Sequence, residues 1–439
     1  MSERSAELFR QAQEVLAGGV SRNTLLRRPY PLYVSEGRGC RVVDVDGVER
    51  LDFANNMAAL IHGHAHPAIV AAVSEQVRRG TAFTLATEIE IQYARHLCGR
   101  SPSSFHKMRF VNSGTEAVMA ALKAARAFTG RSRIAKVEGS YHGGYDYAEV
   151  SQAPPPHLWG PPGRPSSVAL AAGTPPAVPQ DVVVLPFNDL GAAVDVLDEH
   201  RDEIGCVLLD PMPHRLGLVP AERSFVEALR DWTASHGVLL VFDEVITLRI
   251  EVGGMQERYG VTPDLTAMGK IIGGGLPVGA VAGRDEVMSV FSSQSGAPPR
   301  LPHSGTFSAN PLTLAAGQAA MRLFDAEAVA RLNRLGRLAR ARLEEAIAAS
   351  GVPASVTGAG SLFRIHLRAV APRDYRSSVL TATESKALEL FVNGLYDEGI
   401  VLIHTGTGTL STPMGEAEID RLADAVLASL RRVRERVPA

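Results

Sequence analysis

Cysteine is scarce in this chain of 439 residues: Cys40, Cys98 and Cys206 are the only three, and they lie far apart. An odd number without metal-binding spacing excludes a disulfide framework and a zinc motif. The expectation is buried free thiols in a reducing compartment. A charge surplus is missing too. Lys and Arg number 45 against 47 Asp and Glu, so nothing argues for nucleic acid or an anionic membrane as a partner. No apolar run reaches the roughly 18 residues of a membrane span. The opening MSERSAELFRQAQEVL lacks the apolar stretch of a signal peptide. These absences lead to the expectation of a soluble, cytoplasmic protein.

What is present is an ordinary globular mixture, 45% hydrophobic and 21% charged. The length suits two or three domains, or one large domain with a smaller one appended. Residues 3–17 carry Leu8, Phe9, Ala12, Val15 and Leu16 on one helical face, stopped by Gly18-Gly19. The runs LYVSEG, CRVVDVDG and ERLDFA, with the Asp46-Gly47 turn, predict a small antiparallel sheet. From about Pro67 the pattern changes. Helical stretches at 67–79, 88–100 and 115–128 alternate with MRFVN, RIAKVEG, VVVLP, CVLLD and VLLVFDEV. Such alternation predicts βαβ units and a mostly parallel sheet. The Pro/Gly/Ser-rich segment 151–186 reads as a long loop inside that sheet's domain, since strands flank it on both sides. A long helix (326–350), the alternating run SLFRIHLR, a helix near 384–398 and a last helix (415–434) read as a smaller α+β unit.

Five segments carry candidate chemistry. VLLVFDEV ends in Asp243-Glu244, and ligands of open parallel sheets sit at the carboxyl ends of strands. Alone, such an Asp is an ordinary turn residue. In TAMGKIIGGGLPVGA, Lys270 follows an apolar stretch and precedes Gly273, Gly274 and Gly275, which suggests close packing on something flat. A desolvated lysine loses proton affinity and becomes a nucleophilic amine. Ser113-Gly114-Thr115 leads from a strand into a helix. It is either a phosphate cradle or a simple N-cap with Glu116 in the first turn. Tyr141-His142-Gly143-Gly144 offers an aromatic that can stack on a ring, or a capped turn. His303-Ser304-Gly305-Thr306-Phe307, before the helix opened by Asn310-Pro311, is a second hydroxyl-and-glycine anion site. Together these are the parts that hold pyridoxal phosphate (PLP): a lysine for the aldehyde, an Asp for the pyridinium nitrogen and an anion site for the phosphate.

The set NSGTEA, YHGG, LLVFDEV, DLTAMGKIIGGGLPVGA and HSGTFSANPL resembles the class III aminotransferases of fold type I. Within them it is most similar to glutamate-1-semialdehyde aminomutase and the β-amino-acid aminotransferases. The resemblance implies an α/β fold with a mostly parallel central sheet. Residues 67–325 would form the large PLP-binding domain, and 1–66 with 326–439 the smaller one. It implies Lys270 as Schiff-base lysine and proton shuttle, and Asp243 as partner of the pyridinium. Ser113, Gly114 and Thr115 would hold the phosphate. Tyr141 and Val245 would bracket the ring, with His142 among the cofactor contacts. Thr306 would reach the cofactor of a neighbouring subunit, which implies a homodimer with shared sites.

The chain departs from the family pattern in places. Where many members have Glu-Pro-x-Gln-x-Glu, it reads Asp210-Pro211-Met212-Pro213-His214-Arg215, with Pro213 for the Gln and Arg215 for the last, gating Glu. The C-terminal arginine that grips a substrate carboxylate is missing from IVLIHTGTGTLS, where Thr405 and Thr409 stand nearby. Arg22, in GGVSRN, matches an arginine with that role in the β-amino-acid enzymes. Arg22 and Arg215 are therefore the substrate candidates. Arg249 is a weaker third, expected in a surface or interface ion pair. The segment Ile246–Arg249 is one residue shorter than in the aminomutase. The leading expectation is an aminotransferase acting between an amino acid, β- or ω- included, and a keto acid. An aminomutase-type isomerase comes second; a racemase, a decarboxylase and a pure binding module follow.

Overall fold

The computed structural model describes residues 3–293 and 296–436. Its N-terminal strands are β1 (Val34–Arg38), β2 (Arg41–Asp44) and β3 (Glu49–Asp52). Then come β4 (Lys107–Val111), β5 (Arg133–Val137), β6 (Val182–Leu185) and β7 (Ile204–Leu209). They are followed by β8 (Leu239–Asp243), β9 (Leu265–Gly269) and β10 (Gly279–Gly283). The last are β11 (Ser355–Thr357), β12 (Leu362–His366), β13 (Ile400–Val401) and β14 (Thr407–Thr409).

The central sheet has the order β4-β10-β9-β8-β7-β5-β6. Only β10 runs against the rest, antiparallel to both β4 and β9. Strands β6 to β10 are buried along their whole length, because helices cover both faces. Their sequences are accordingly continuous apolar runs rather than alternating ones. The run GLPVGA leads into β10. Four of the five residues of β10 (GAVAG) are Gly or Ala, which have low strand propensity. They are needed there: a Cβ on Gly279 would sit 2.0 Å from the Ser113 carbonyl oxygen.

Helix Gly114–Thr129 buries seven residues, five of them alanines, so its backbone lies close on the sheet. Two smaller sheets flank the assembly, β1-β2-β3-β13 and β11-β12-β14. Strand β13 pairs in parallel with β3, so the two ends of the chain meet in one sheet. Segment 151–181 is mostly loop with short turns at Pro156–Leu158 and Ala177–Gln180, and it joins neighbouring strands β5 and β6. Arg376 ties it down by donating to the carbonyls of Trp159 and Gly160.

Three expectations are corrected. The first helix is Glu3–Val15, with Val15 81% and Leu16 41% exposed in the single chain, so the apolar face at its end is uncovered here. Cys40 and Cys206 are buried thiols, but Cys98 is only partly so. Gly274 packs on protein: a Cβ on it would lie 2.4 Å from the Ala316 carbonyl oxygen. On the facing helix Pro311–Leu323, a Cβ on Gly317 would lie 2.1 Å from the Ile272 oxygen. The glycines bring two backbones together. No described helix is long and apolar enough to cross a membrane.

Candidate active site

The chemistry-bearing residues stand at the carboxyl ends of parallel strands or a few positions beyond them, where sheet geometry leaves a crevice. Ser113–Thr115 follows β4, Tyr141–Gly144 follows β5, Asp210 follows β7, Asp243 closes β8 and Lys270 follows β9. The topology therefore gathers segments that lie up to about 160 residues apart in the chain.

Lys270 has φ +49°, a left-handed backbone that non-glycine residues adopt at a cost of about 1–2 kcal/mol. Extended Gly269 precedes it, and a Cβ there would touch Gly114, Val245 and the Val278 oxygen, each at 3.4 Å. The strained turn aims the side chain off the strand end. Burial pulls the Lys270 ammonium below its ordinary pKa, while the Asp243 and Asp210 carboxylates push the other way. Asp210 is buried beside Asp243. Burial and that neighbouring charge hold its carboxyl well above the usual range, although its Oδ1 accepts the Met212 N–H at 2.9 Å.

Asp243 is buried. Its Oδ2 lies 2.8 Å from His142 Nδ1, and its Oδ1 accepts from the Val245 N–H at 3.1 Å. His142 is buried too, and its Nε2 has no hydrogen-bond partner. Burial lowers the imidazole pKa, and the Asp243 bond partly restores it. Glu244 points the other way. Its carboxylate caps the short helix Met255–Tyr259 by accepting from the N–H groups of Met255 and Gln256, and burial pushes its pKa up to about 7.

Ser113 is the N-cap of helix Gly114–Thr129, its hydroxyl accepting the Glu116 N–H at 3.1 Å. The simple-cap reading of this hydroxyl therefore holds. The N–H groups of Gly114 and Thr115 and the positive helix end remain to face an anion. A Cβ on Gly114 would be 2.9 Å from Val245, and one on Gly143 would be 2.3 Å from Thr115 Oγ1. Thr115 Oγ1 also accepts from the Gly144 N–H at 3.3 Å. The Tyr141–Gly144 turn is thereby docked on the helix start, and the two glycines allow the close approach of Gly114 to Val245 and of Gly143 to Thr115. Tyr141 is half exposed, with the Arg215 guanidinium 5.6 Å from its ring centroid. Thr306 is exposed. Its neighbour Gly305 lies against Asn112, where a Cβ would be 3.7 Å from Nδ2.

The three arginines go to different places. Arg22 is exposed and donates through Nη1 to Asn56 Oδ1 at 2.9 Å. Asn56 belongs to a left-handed turn in which Asn55, Asn56, Met57 and Ala58 all have φ between +44° and +70°. Asp52 caps that turn, and Asn55 anchors it to Thr409. Arg215 is exposed over Tyr141. Arg249 is a correction: it forms no surface ion pair but is fully buried, donating to Ser361 Oγ at 2.9 Å and to the carbonyls of Ala58 and Leu410. Burial without a carboxylate partner draws its pKa down to about 9. It clamps the left-handed turn to Leu410, just past β14, in the interior.

Sequence reasoning assigned no role to Lys136, His214, Arg364 or His404. Lys136 is fully buried on β5, donating to the carbonyls of Ser140 and Val150. Arg364 is buried on β12. A charged residue inside an otherwise apolar strand was the available signal in both cases.

A lysine amine and an aspartate at adjacent strand ends, a helix start packed through glycines and a histidine bonded to the aspartate define the site of a fold type I PLP enzyme. Asp243 retains lone pairs for a ring N–H, and the buried Lys270 amine follows the adjoining strand, so the residues fit this cofactor. The chain belongs to the class-III aminotransferase family, whose profile matches residues 26–423. It is 38% identical over 404 residues to glutamate-1-semialdehyde 2,1-aminomutase of Methanothermobacter thermautotrophicus, covering 91% of each chain. Its fold matches an omega-transaminase of Sphaerobacter thermophilus with TM-score 0.95, 52% identity and 98% of each chain covered. A beta-phenylalanine aminotransferase of Variovorax paradoxus matches with TM-score 0.85 and 37% identity, over 96% of this chain and 92% of the other.

Proposed function

We propose that the protein moves an amino group between an amino acid, β- or ω-amino acids included, and a keto acid. The observation that carries the reading is Lys270, strained at the end of β9 and set in the field of Asp243 and Asp210. When bound, PLP supplies an electron-withdrawing ring that stabilises negative charge on the carbon losing its proton. Lys270 Nζ takes and returns that proton, and its lowered proton affinity keeps amine available. Asp243 keeps the pyridine nitrogen protonated. His142 fixes the Asp243 carboxylate through Nδ1. Ser113, Gly114 and Thr115 offer the helix start to the phosphate, and Tyr141 and Val245 bracket the ring. Arg22 meets a substrate carboxylate at the site mouth.

The same residues serve a single-substrate isomerase, and the aminomutase relatives favour that second reading. The short Ile246–Arg249 segment and the higher identity to the omega-transaminase favour transfer between two substrates. The test is the visible absorbance of the bound cofactor. A shift on adding an amino donor that reverts only with a keto acid supports transfer. Conversion of one substrate without any co-substrate would overturn it.

The reading includes a cytoplasmic homodimer with shared sites, Thr306 facing the partner's cofactor. Exposed Phe83, Leu85, Ile91 and Phe307 support it, since apolar side chains grouped at a surface mark an interface. Asn310 Nδ2 joins their two segments by donating to the Thr81 oxygen at 2.7 Å. Residues 1–66 and 326–439 then form one smaller domain beside 67–325, a division supported by the β3–β13 pairing.

A further inference from the structure

Strand β5 carries a lysine where its sheet face is otherwise apolar. Side chains alternate along a strand, so Lys136 shares a face with Ile134, which packs with the alanines of helix Gly114–Thr129. The cross-strand neighbours of Lys136 are Val184 on β6 and Leu208 on β7, both in that same apolar layer. Lys136 is fully buried and has no recorded ion pair among the described residues. Glu138, the next residue on its face, is taken by Arg376 through Nε at 2.9 Å and Nη2 at 3.2 Å. Burial, and after it the like charge of Arg215, lower the Lys136 pKa, and Glu138 opposes them only in part. A methionine would fill the same space without desolvating a charge. Packing alone therefore does not account for a lysine here.

What the amine does is local. Nζ donates to the Ser140 carbonyl at 3.2 Å and to the Val150 carbonyl at 2.7 Å. These residues are the two ends of the segment that leaves β5 and carries Tyr141, His142, Gly143 and Gly144. One position outside, the Gly139 N–H donates to the Ser151 oxygen at 2.7 Å and closes the same neck through backbone. Within the segment, His142 Nδ1 meets Asp243 Oδ2 and the Gly144 N–H meets Thr115 Oγ1. Ser140 stands two residues before His142, so Nζ holds the peptide from which the cofactor-side turn springs. His142 also lies in the field of Lys136.

We propose that Lys136 is a positioning residue of the cofactor site: its buried amine closes the base of segment 140–150 and thereby sets His142 against Asp243 and Tyr141 over the ring. It acts through that turn and not by contact with the ring. The buried charge lowers stability and fixes a geometry, a trade found at functional sites. The proposal rests on the cofactor contacts given to Tyr141 and His142. It holds equally for amino transfer and for isomerisation.

The test is the rate at which the holoenzyme loses PLP in dialysis, followed by the visible absorbance of the cofactor. Lys136→Met is expected to lose PLP about tenfold faster than the wild type, the factor carried by one hydrogen bond to a charged group. Its cofactor-free form should melt no lower than the wild type at pH 6.5, where the buried charge weighs most. In a His142→Ala background the same substitution should add less than about twofold, since residues linked in one chain of contacts are not additive. Lys136→Gln keeps a donor for one of the two carbonyls and should fall between wild type and Lys136→Met; it carries the test alone if the methionine variant does not fold. Wild-type PLP loss in these variants overturns the proposal. So does a full tenfold increment in the His142→Ala background, or faster loss accompanied by a lower melting temperature of the cofactor-free protein. A His142→Ala enzyme that keeps PLP like the wild type removes the His142 contact and the proposal with it. A wild-type rate in Lys136→Met, with fast loss in His142→Ala, overturns the proposal and leaves that contact standing.

Discussion

His142 pairs with Asp243, Nδ1 to Oδ2 at 2.8 Å with both side chains buried, so the carboxylate at the end of β8 is held in one orientation. The histidine donates its Nδ1 proton, since the carboxylate can only accept. Its Nε2 is left buried and unpartnered. The pair behaves as one unit: Asp243 supplies charge and His142 supplies orientation. Asp243→Asn is therefore expected to weaken PLP binding and to slow proton abstraction far more than it lowers the melting temperature. A charge-assisted hydrogen bond of this kind contributes about 1.5–3 kcal/mol. Unchanged cofactor affinity in equilibrium dialysis, with unchanged kcat, would contradict the role.

Lys270→Ala should abolish turnover and leave a folded protein that still takes up PLP noncovalently. The strained φ of +49° gives a second readout. Lys270→Gly should melt higher than Lys270→Ala, by about 1–2 kcal/mol in cofactor-free protein, because glycine relieves the left-handed backbone. Equal stabilities would show that the turn is unstrained.

Lys136 gives a pH test. Burial lowers its pKa from the ordinary lysine range to about 7. Below pH 7 both folded and unfolded forms carry the proton, and the folded state bears the full cost of a buried charge. Between about 7 and the unfolded value the unfolded chain binds more protons, so this group's contribution rises with pH, by about 1.4 kcal/mol per unit. Lys136→Met removes that slope. Denaturant titrations at pH 6.5 and 9.5 should show the variant gaining relative to wild type at the lower pH and losing that advantage at the higher one. Parallel stability curves would show that the lysine stays charged throughout.

Arg22→Ala should raise KM strongly for amino acids with a carboxylate near the reacting carbon and leave a carboxylate-free arylalkylamine nearly unaffected. Loss of a desolvated charge pair costs about 2–5 kcal/mol. An equal effect on both donors would assign Arg22 to bracing the Asn55–Ala58 turn through Asn56.

Gly274→Ala should destabilise by about 1–3 kcal/mol through overpacking, with added strain from φ +59°. The Cβ would strike the Ala316 backbone 2.4 Å away, and backbone cannot rotate aside. Thermal melting measures it; a wild-type melting temperature would show that the Pro311–Leu323 helix can shift.

The sequence by itself determined the parts that are local. The apolar runs of β5 to β8 and the Asn310 cap were legible because pleating, helical period and capping act over a few residues. The order of NSGTEA, YHGG, DEV and GKIIGGG was enough to name the chemistry, since each motif sits beside its own strand end. The tertiary structure alone decided what burial does to charge. Arg249 looked like a surface cation and is fully buried on three partners, because the adjoining Ala58, Ser361 and Leu410 come from distant segments. The run SLFRIHLR alternates like a half-exposed strand, yet β12 is covered on both faces. Arg364 therefore lies inside, bonded to the turn after β7, and no local pattern can report that, because the His214 carbonyl that accepts from it is 150 residues earlier in the chain.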